Sequence, residues 1–240
     1  MSLFRKAKIY IDDVVCFKNL QFIIYSLLHI INRRIPLFKI LFGNNLSRIG
    51  SERHLEKYFL SKDNHCFIDV GANVGLWTIF MAKKGFEVHA FEPSPKPILL
   101  LRKKAKKYSN IHVYKYALGE KNYVTEFNLH TASGHDSLLK SEEDFIGQIK
   151  INVRTIDSFS FQDIGLIKID TEGYEVPVLL GAKQSILRNK PRLIIEIHSP
   201  YKEQMEKVTK ILKQLNYRWV MRFKQLKPQP NIIADPIPNS

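Results

Sequence analysis

The stretch "FIDVGANVGLWTIF", residues 67–80, decides the fold. A short apolar run enters a glycine turn, and an apolar helical pattern leaves it. That order predicts a strand, a tight turn through Gly71 and Gly75, and a helix start. Glycine lets the backbone turn sharply and approach a ligand closely, and the first N–H groups of the helix would face the same place. A dinucleotide turn reads G-x-G-x-x-G, whereas this one reads G-A-N-V-G with Asp69 immediately before it. A carboxylate there opposes a pyrophosphate and suits a ligand carrying an ammonium or sulfonium group.

The next strand, "EVHAFE" (87–92), closes on Glu92. An acid at that place can accept the hydroxyls of a ribose. S-adenosylmethionine (SAM) combines ribose, ammonium and sulfonium, so it is the cofactor expected at this turn.

Working outward, "CFIDVG", "EVHAFE", "IHVYKYAL", "GLIKID" and "RLIIEIHS" read as strands. Helical stretches at 75–84, 95–107 and 176–189 lie between most of them. Strand alternating with helix predicts a parallel sheet covered on both faces. "YVTEFNLH" and "IKINVRTID" add two strands around the loop "TASGHDSLLKSEEDFIG", and "YRWVMRFK" with "NIIAD" reads as a closing hairpin.

Upstream of residue 47 the texture differs. Leu20, Ile23, Ile24, Leu27, Ile30 and Ile31 share one arc of a helix at about 100° per residue, with Lys18, Gln21, His29 and Arg33 on the other. This amphipathic extension, 1–46, would pack on the domain or lie on an anionic membrane surface. Its apolar run, "LQFIIYSLLHII", falls short of the ~20 residues that span a bilayer.

The chain has 240 residues, 45% apolar and 25% charged, enough for one domain with a core plus an extension. Lys and Arg total 37 against 23 Asp and Glu, a formal charge of +14 that favours acidic partners: anionic lipid, glycan or nucleic acid. The two cysteines, Cys16 and Cys66, sit in apolar runs and read as core residues of a protein kept in a reducing compartment. With no signal-peptide pattern at the start, a cytoplasmic protein is expected, with membrane association on the cytoplasmic face as an option.

"FIDVGANVGLWT", "AFEPSP", "YALGE", "VRTID" and "LIKIDTEGYEVPVLLGAKQSIL" followed by "PRLIIEIHS" resemble, in order, the FkbM family of SAM-dependent methyltransferases. The resemblance runs from about residue 52 to about 200 and places a methyltransferase domain at 47–240. It implies a class I, Rossmann-like α/β fold with a seven-stranded, mostly parallel sheet and one antiparallel edge strand. It also implies methyl transfer to oxygen, commonly a hydroxyl on a sugar or natural product. By the same resemblance Asp69, Gly71, Ala72, Asn73, Gly75 and Thr78 form the SAM turn. Glu92 meets the ribose, and Ala117 and Leu118 lie beside the adenine. Thr171 stands where an apolar residue is commoner, and Trp77 is bulky for its place.

"IKIDTEGYE", 167–175, concentrates three carboxylates where a central strand ends. Ligands of such sheets sit outside the carboxyl ends of the strands. Methylating an alcohol requires that its proton be taken or shared, and a general base supplies 10²–10⁴-fold in rate. Asp170 and Glu172 are the expected bases. Glu175 suits the start of the following helix. His135, in the inserted loop, is a further candidate base. No metal is expected from ligand spacing, although Glu196 and His198, leaving the next strand, could join Asp170 around a divalent ion. The expected acceptor is a hydroxyl of a sugar, glycan or glycolipid. RNA is the second reading, drawn from the charge, and a non-catalytic SAM-binding scaffold is the third.

Overall fold

The structure, a computed structural model, describes residues 66–130, 138, 145–198, 201–224 and 230–238. These belong to one compact unit, Lys62–Ser240. The expected extension 1–46, Cys16 and His135 lie outside the described residues.

β1 (Cys66–Val70) is apolar but for one acid, and every residue of it is buried. It runs parallel to β2 (Glu87–Phe91) on one side and to β7 (Ile164–Ile169) on the other. Between β1 and β2 the chain forms α1 (Leu76–Lys83), which presses Trp77, Thr78, Met81 and Ala82 inward. α2 (Pro95–Ala105) follows β2; its prolines sit in the first turn, where no N–H is missed. Ile98, Leu101 and Ala105 form its buried stripe, and Arg102, Lys103 and Lys104 favour its negative C-terminal end.

β3 (Ile111–Tyr114) then pairs with β2. The expected single strand "IHVYKYAL" divides here. β4 (Ala117–Leu118) leaves the main sheet and takes its hydrogen bonds from β6 instead. β5 (Tyr123–His130) and β6 (Phe145–Arg154) are the two added strands, paired antiparallel, and with β4 they make a second, three-stranded sheet.

A 3₁₀ turn (Ile156–Phe159) leads into β7, which is buried along its whole length. After β7 come α3 (Glu175–Leu180) and α4 (Lys183–Asn189). The sequence pattern predicts one helix over 176–189; the structure breaks it at Gly181. A Cβ on Gly181 would lie 1.9 Å from the Gly119 carbonyl oxygen, so the chain turns where it meets the end of β4.

β8 (Arg192–Glu196) is parallel to β7. α5 (Tyr201–Gln214) was not anticipated, though Val208, Ile211 and Leu212 give it a buried helical stripe, extended by Leu215 just past its end. β9 (Tyr217–Lys224) and β10 (Pro230–Pro236) form the expected closing hairpin. The main sheet has seven strands in the order β3-β2-β1-β7-β8-β10-β9. The reversed strand is β10, antiparallel to both its neighbours and one place in from the edge. Arg192 on β8 grips Asp235 on β10 through two hydrogen bonds, of 2.6 and 2.5 Å.

Among the described residues no helix is long and apolar enough to cross a membrane. Cys66, at the start of β1, is a buried thiol. Burial, reinforced by Glu87 and Asp163, pushes its pKa up to about 12.

Candidate functional site

The switch in strand order falls between β1 and β7, and the chain places its polar groups at the carboxyl ends there. The glycine turn is fixed first. Gly71 and Ala72 donate their N–H groups to the Phe91 carbonyl at 3.0 Å. Gly71 has φ +77°, and a Cβ on it would lie 1.8 Å from the Asp170 carbonyl oxygen. Gly75 has φ +82° and caps α1 without any side-chain bond.

Glu92, 6% exposed, binds this turn to the end of β2. Its Oε2 accepts the Asn73 N–H at 2.7 Å and its Oε1 accepts the Ser94 N–H at 2.8 Å. Asn73 takes φ +51°, a left-handed conformation asparagine tolerates. Asp69, 1% exposed, accepts the Thr78 hydroxyl on Oδ2 at 2.6 Å. Its Oδ1 has no hydrogen-bond partner among the described residues. Burial raises the Asp69 pKa; the charge of Lys168 and the Thr78 bond act in the opposite direction.

Lys168 stands opposite Asp69 in the β1–β7 register. Alternate residues of a strand share a face, so Asp170 follows Lys168 on the same side. The buried Lys168 ammonium donates to Asp170 Oδ2 at 2.9 Å. Sequence reading passed over Lys168, although a lone lysine inside the apolar "GLIKI" was its signal.

The acid-rich turn after β7 closes on a histidine. One step past the last β7–β8 pair, Ile169 and Ile195, come Asp170 and Glu196. His198, 5% exposed, lies two residues further on. Its Nδ1 is 2.9 Å from Glu175 Oε1; its Nε2 is 3.3 Å from Glu172 Oε2 and 3.7 Å from Asp170 Oδ1. Burial alone would lower the His198 pKa, but the Glu175 bond and the charges of Asp170, Glu172 and Glu175 prevail and raise it to about 9. Ligating atoms of Asp170, Glu196 and His198 all lie within 4.8 Å of one another.

Glu175 does more than begin α3. Fully buried, its Oε1 also accepts the Gly173 N–H at 2.9 Å and the Thr171 hydroxyl at 3.3 Å. The uncommon threonine is thus part of the turn. Glu172 takes φ +54° and Gly173 φ +103°. Gln204 of α5 donates to the Gly173 carbonyl at 2.9 Å, and the Tyr123 and Tyr174 hydroxyls meet at 2.8 Å, joining the second sheet to the turn.

The expected residues therefore fall into two groups. Asp69, Gly71, Ala72, Asn73, Gly75, Thr78 and Glu92 surround one turn, and Asp170 touches it through its own backbone, donating its N–H to the Val70 carbonyl at 3.0 Å. Ala117 and Leu118 lie on β4 with both side chains packed in apolar clusters.

Residues 69–219 match the methyltransferase FkbM domain. Among solved structures, an FkbM methyltransferase from Methylobacillus flagellatus KT is 24% identical with a TM-score of 0.55, over 74% of this chain and 45% of that one. The chain thus spans less than half the length of that protein. A fibrillarin/Nop5p complex matches at 14% identity and TM-score 0.52, over 79% of this chain and 81% of that one. A SAM-dependent methyltransferase from Aquifex aeolicus matches at 14% and 0.47, over 80% and 93%. No curated protein matches. Sheet order, glycine turn and the match over 69–219 lead to one assignment: the chain belongs to the FkbM family of SAM-dependent methyltransferases.

Proposed function

We propose that the protein methylates a hydroxyl oxygen, on a sugar, glycan or glycolipid-type acceptor. The observation that carries this is the meeting of the glycine turn with the Asp170–Glu172 turn. Gly71 rests on the Asp170 carbonyl, so a donor at the first turn and an acceptor at the second share one rim.

The residues present fit SAM. Asp69 offers a buried carboxylate with an uncommitted oxygen beside the turn, which an ammonium group complements. Glu92, at the end of β2, accepts N–H groups of Asn73 and Ser94, and a carboxylate in that place suits the hydroxyls of a ribose. SAM supplies an electrophilic methyl group. The chain's part is to orient the acceptor oxygen and receive its proton, and Asp170 and Glu172 stand at the rim for both tasks. His135, which follows β5 in the sequence, is a further candidate for the proton. The charge of +14 supports contact with anionic acceptors or a membrane surface, and the extension 1–46 is proposed to take part.

The same charge supports one other reading, methylation of RNA. Incubation with methyl-labelled SAM and either a glycan and glycolipid extract or total RNA separates the two. Label in the carbohydrate fraction, mapped to O-methyl by mass spectrometry, is the expected result. Label confined to RNA overturns the acceptor class, and SAM binding without transfer to either extract favours a scaffold.

A further inference from the structure

We propose that Asp170, Glu196 and His198 form a binding site for one divalent cation of the Mg²⁺/Mn²⁺ class. Their ligating atoms lie within 4.8 Å of one another, so the side chains need close in only slightly for one ion to touch all three. The fold sets this up. β7 and β8 are adjacent and in register through Ile169 and Ile195, so Asp170 and Glu196 leave the sheet side by side. Glu196 and His198, two apart, keep the same side. Two carboxylates and one imidazole are a donor set suited to oxygen-preferring divalent ions.

A second observation separates this cluster from a mere group of acids. The His198 ring is held at its far nitrogen. Nδ1 meets Oε1 of Glu175, a fully buried carboxylate that also accepts the Gly173 N–H. Nε2 is thereby turned toward Asp170 Oδ1 at 3.7 Å and Glu172 Oε2 at 3.3 Å. Without an ion the carboxylates around Nε2 favour the protonated ring, so an ion binding there would displace that proton, while the carboxylate behind Nδ1 keeps the ring aimed. Lys168 donates to Oδ2 of Asp170, and Oδ1 is the oxygen that faces His198.

The inference rests on the proposed methyl transfer only for its consequence. There, Asp170 would hold the acceptor oxygen through the ion, and Glu172, at the rim beside it, would take the proton. The oxygen then forms its bond to the methyl carbon as the carbon–sulfur bond breaks, and sulfur keeps the electron pair.

Mn²⁺ titrated into the full-length, chelator-stripped protein, followed by electron paramagnetic resonance without methyl donor or acceptor, tests the site. One bound Mn²⁺ per chain is expected. Asp170→Asn and Glu196→Gln should each weaken binding at least tenfold. Glu175→Gln, which touches only the back of the ring, should weaken it by about tenfold. Glu203→Gln, an exposed acid on α5, should leave it unchanged. Thermal melting shows that each variant is folded. Absence of saturable binding, or binding that Asp170→Asn and Glu196→Gln both leave intact, overturns the site. Because binding is read without turnover, its failure leaves the methyl-transfer reading standing, and failure of transfer leaves the ion site standing.

Discussion

Gly71 and Asp170, on neighbouring strands' ends, are in backbone contact: residue 71 has no room for a Cβ because the Asp170 carbonyl oxygen would be 1.8 Å away. The contact fixes the distance between the glycine turn and the acid turn. Gly71→Ala must relieve that clash and also adopt φ +77°. Overpacking and a left-handed alanine together cost on the order of 2–5 kcal/mol. Chemical denaturation should show that loss, and the SAM affinity of the folded fraction should fall. An unchanged midpoint would mean that the two turns are not rigidly joined.

Glu92→Ala removes the acceptor for the Asn73 and Ser94 N–H groups as well as any ribose contact. Each charge-assisted bond is worth about 1.5–3 kcal/mol. SAM affinity by calorimetry should drop at least tenfold. Wild-type affinity in the variant would remove Glu92 from the donor site.

Asp170→Asn keeps the shape of the side chain and removes its charge. Turnover on the true acceptor should fall about 10²-fold or more, with SAM affinity within a few-fold of wild type. Full turnover would show that Asp170 acts on neither the acceptor proton nor the acceptor oxygen.

His89 gives the stability a pH dependence. The ring is stacked on His112 at 5.0 Å between centroids and lies tilted against Phe161 at 4.2 Å, with 12% of the side chain exposed. Burial, helped by His112, lowers its pKa from 6.5 to about 4. Between those values the unfolded chain binds the proton and the folded one does not. This contribution is complete above about pH 6.5 and lost as pH falls toward 4, about 1–3 kcal/mol in all. Urea melts across that range should show the decline, and His89→Phe should flatten it. Parallel curves for the two proteins would assign the acid sensitivity to other groups.

The glycine turn was readable from the chain because its parts are close in sequence. A strand, a glycine turn and a helix occupy 67–80, and Glu92 follows at the end of the next strand. The acid turn was readable in composition but not in use. Glu175 looked like a helix-start charge, and only the return of β8 reveals that His198 holds it. Asp170, Glu196 and His198 converge because β7 and β8 are neighbours and because the pleat puts alternate residues on one face. No local pattern encodes that adjacency. The split between α3 and α4 escaped for the same reason, since Gly181 is constrained by Gly119, far along the chain.

Cys66 turns the central strand into its own reporter. With the pKa pushed up to about 12, the thiolate fraction at neutral pH is on the order of 10⁻⁵, and the sulfur is shut inside the core. An alkylating reagent can reach it only when β1 parts from its neighbours. With Cys16 replaced by serine, the pace of alkylation becomes a clock for the opening of β1, the strand that delivers Asp69 and Gly71 to the rim. If a donor bound at the glycine turn braces it, alkylation should slow, so occupancy would be timed at a buried sulfur atom in the core.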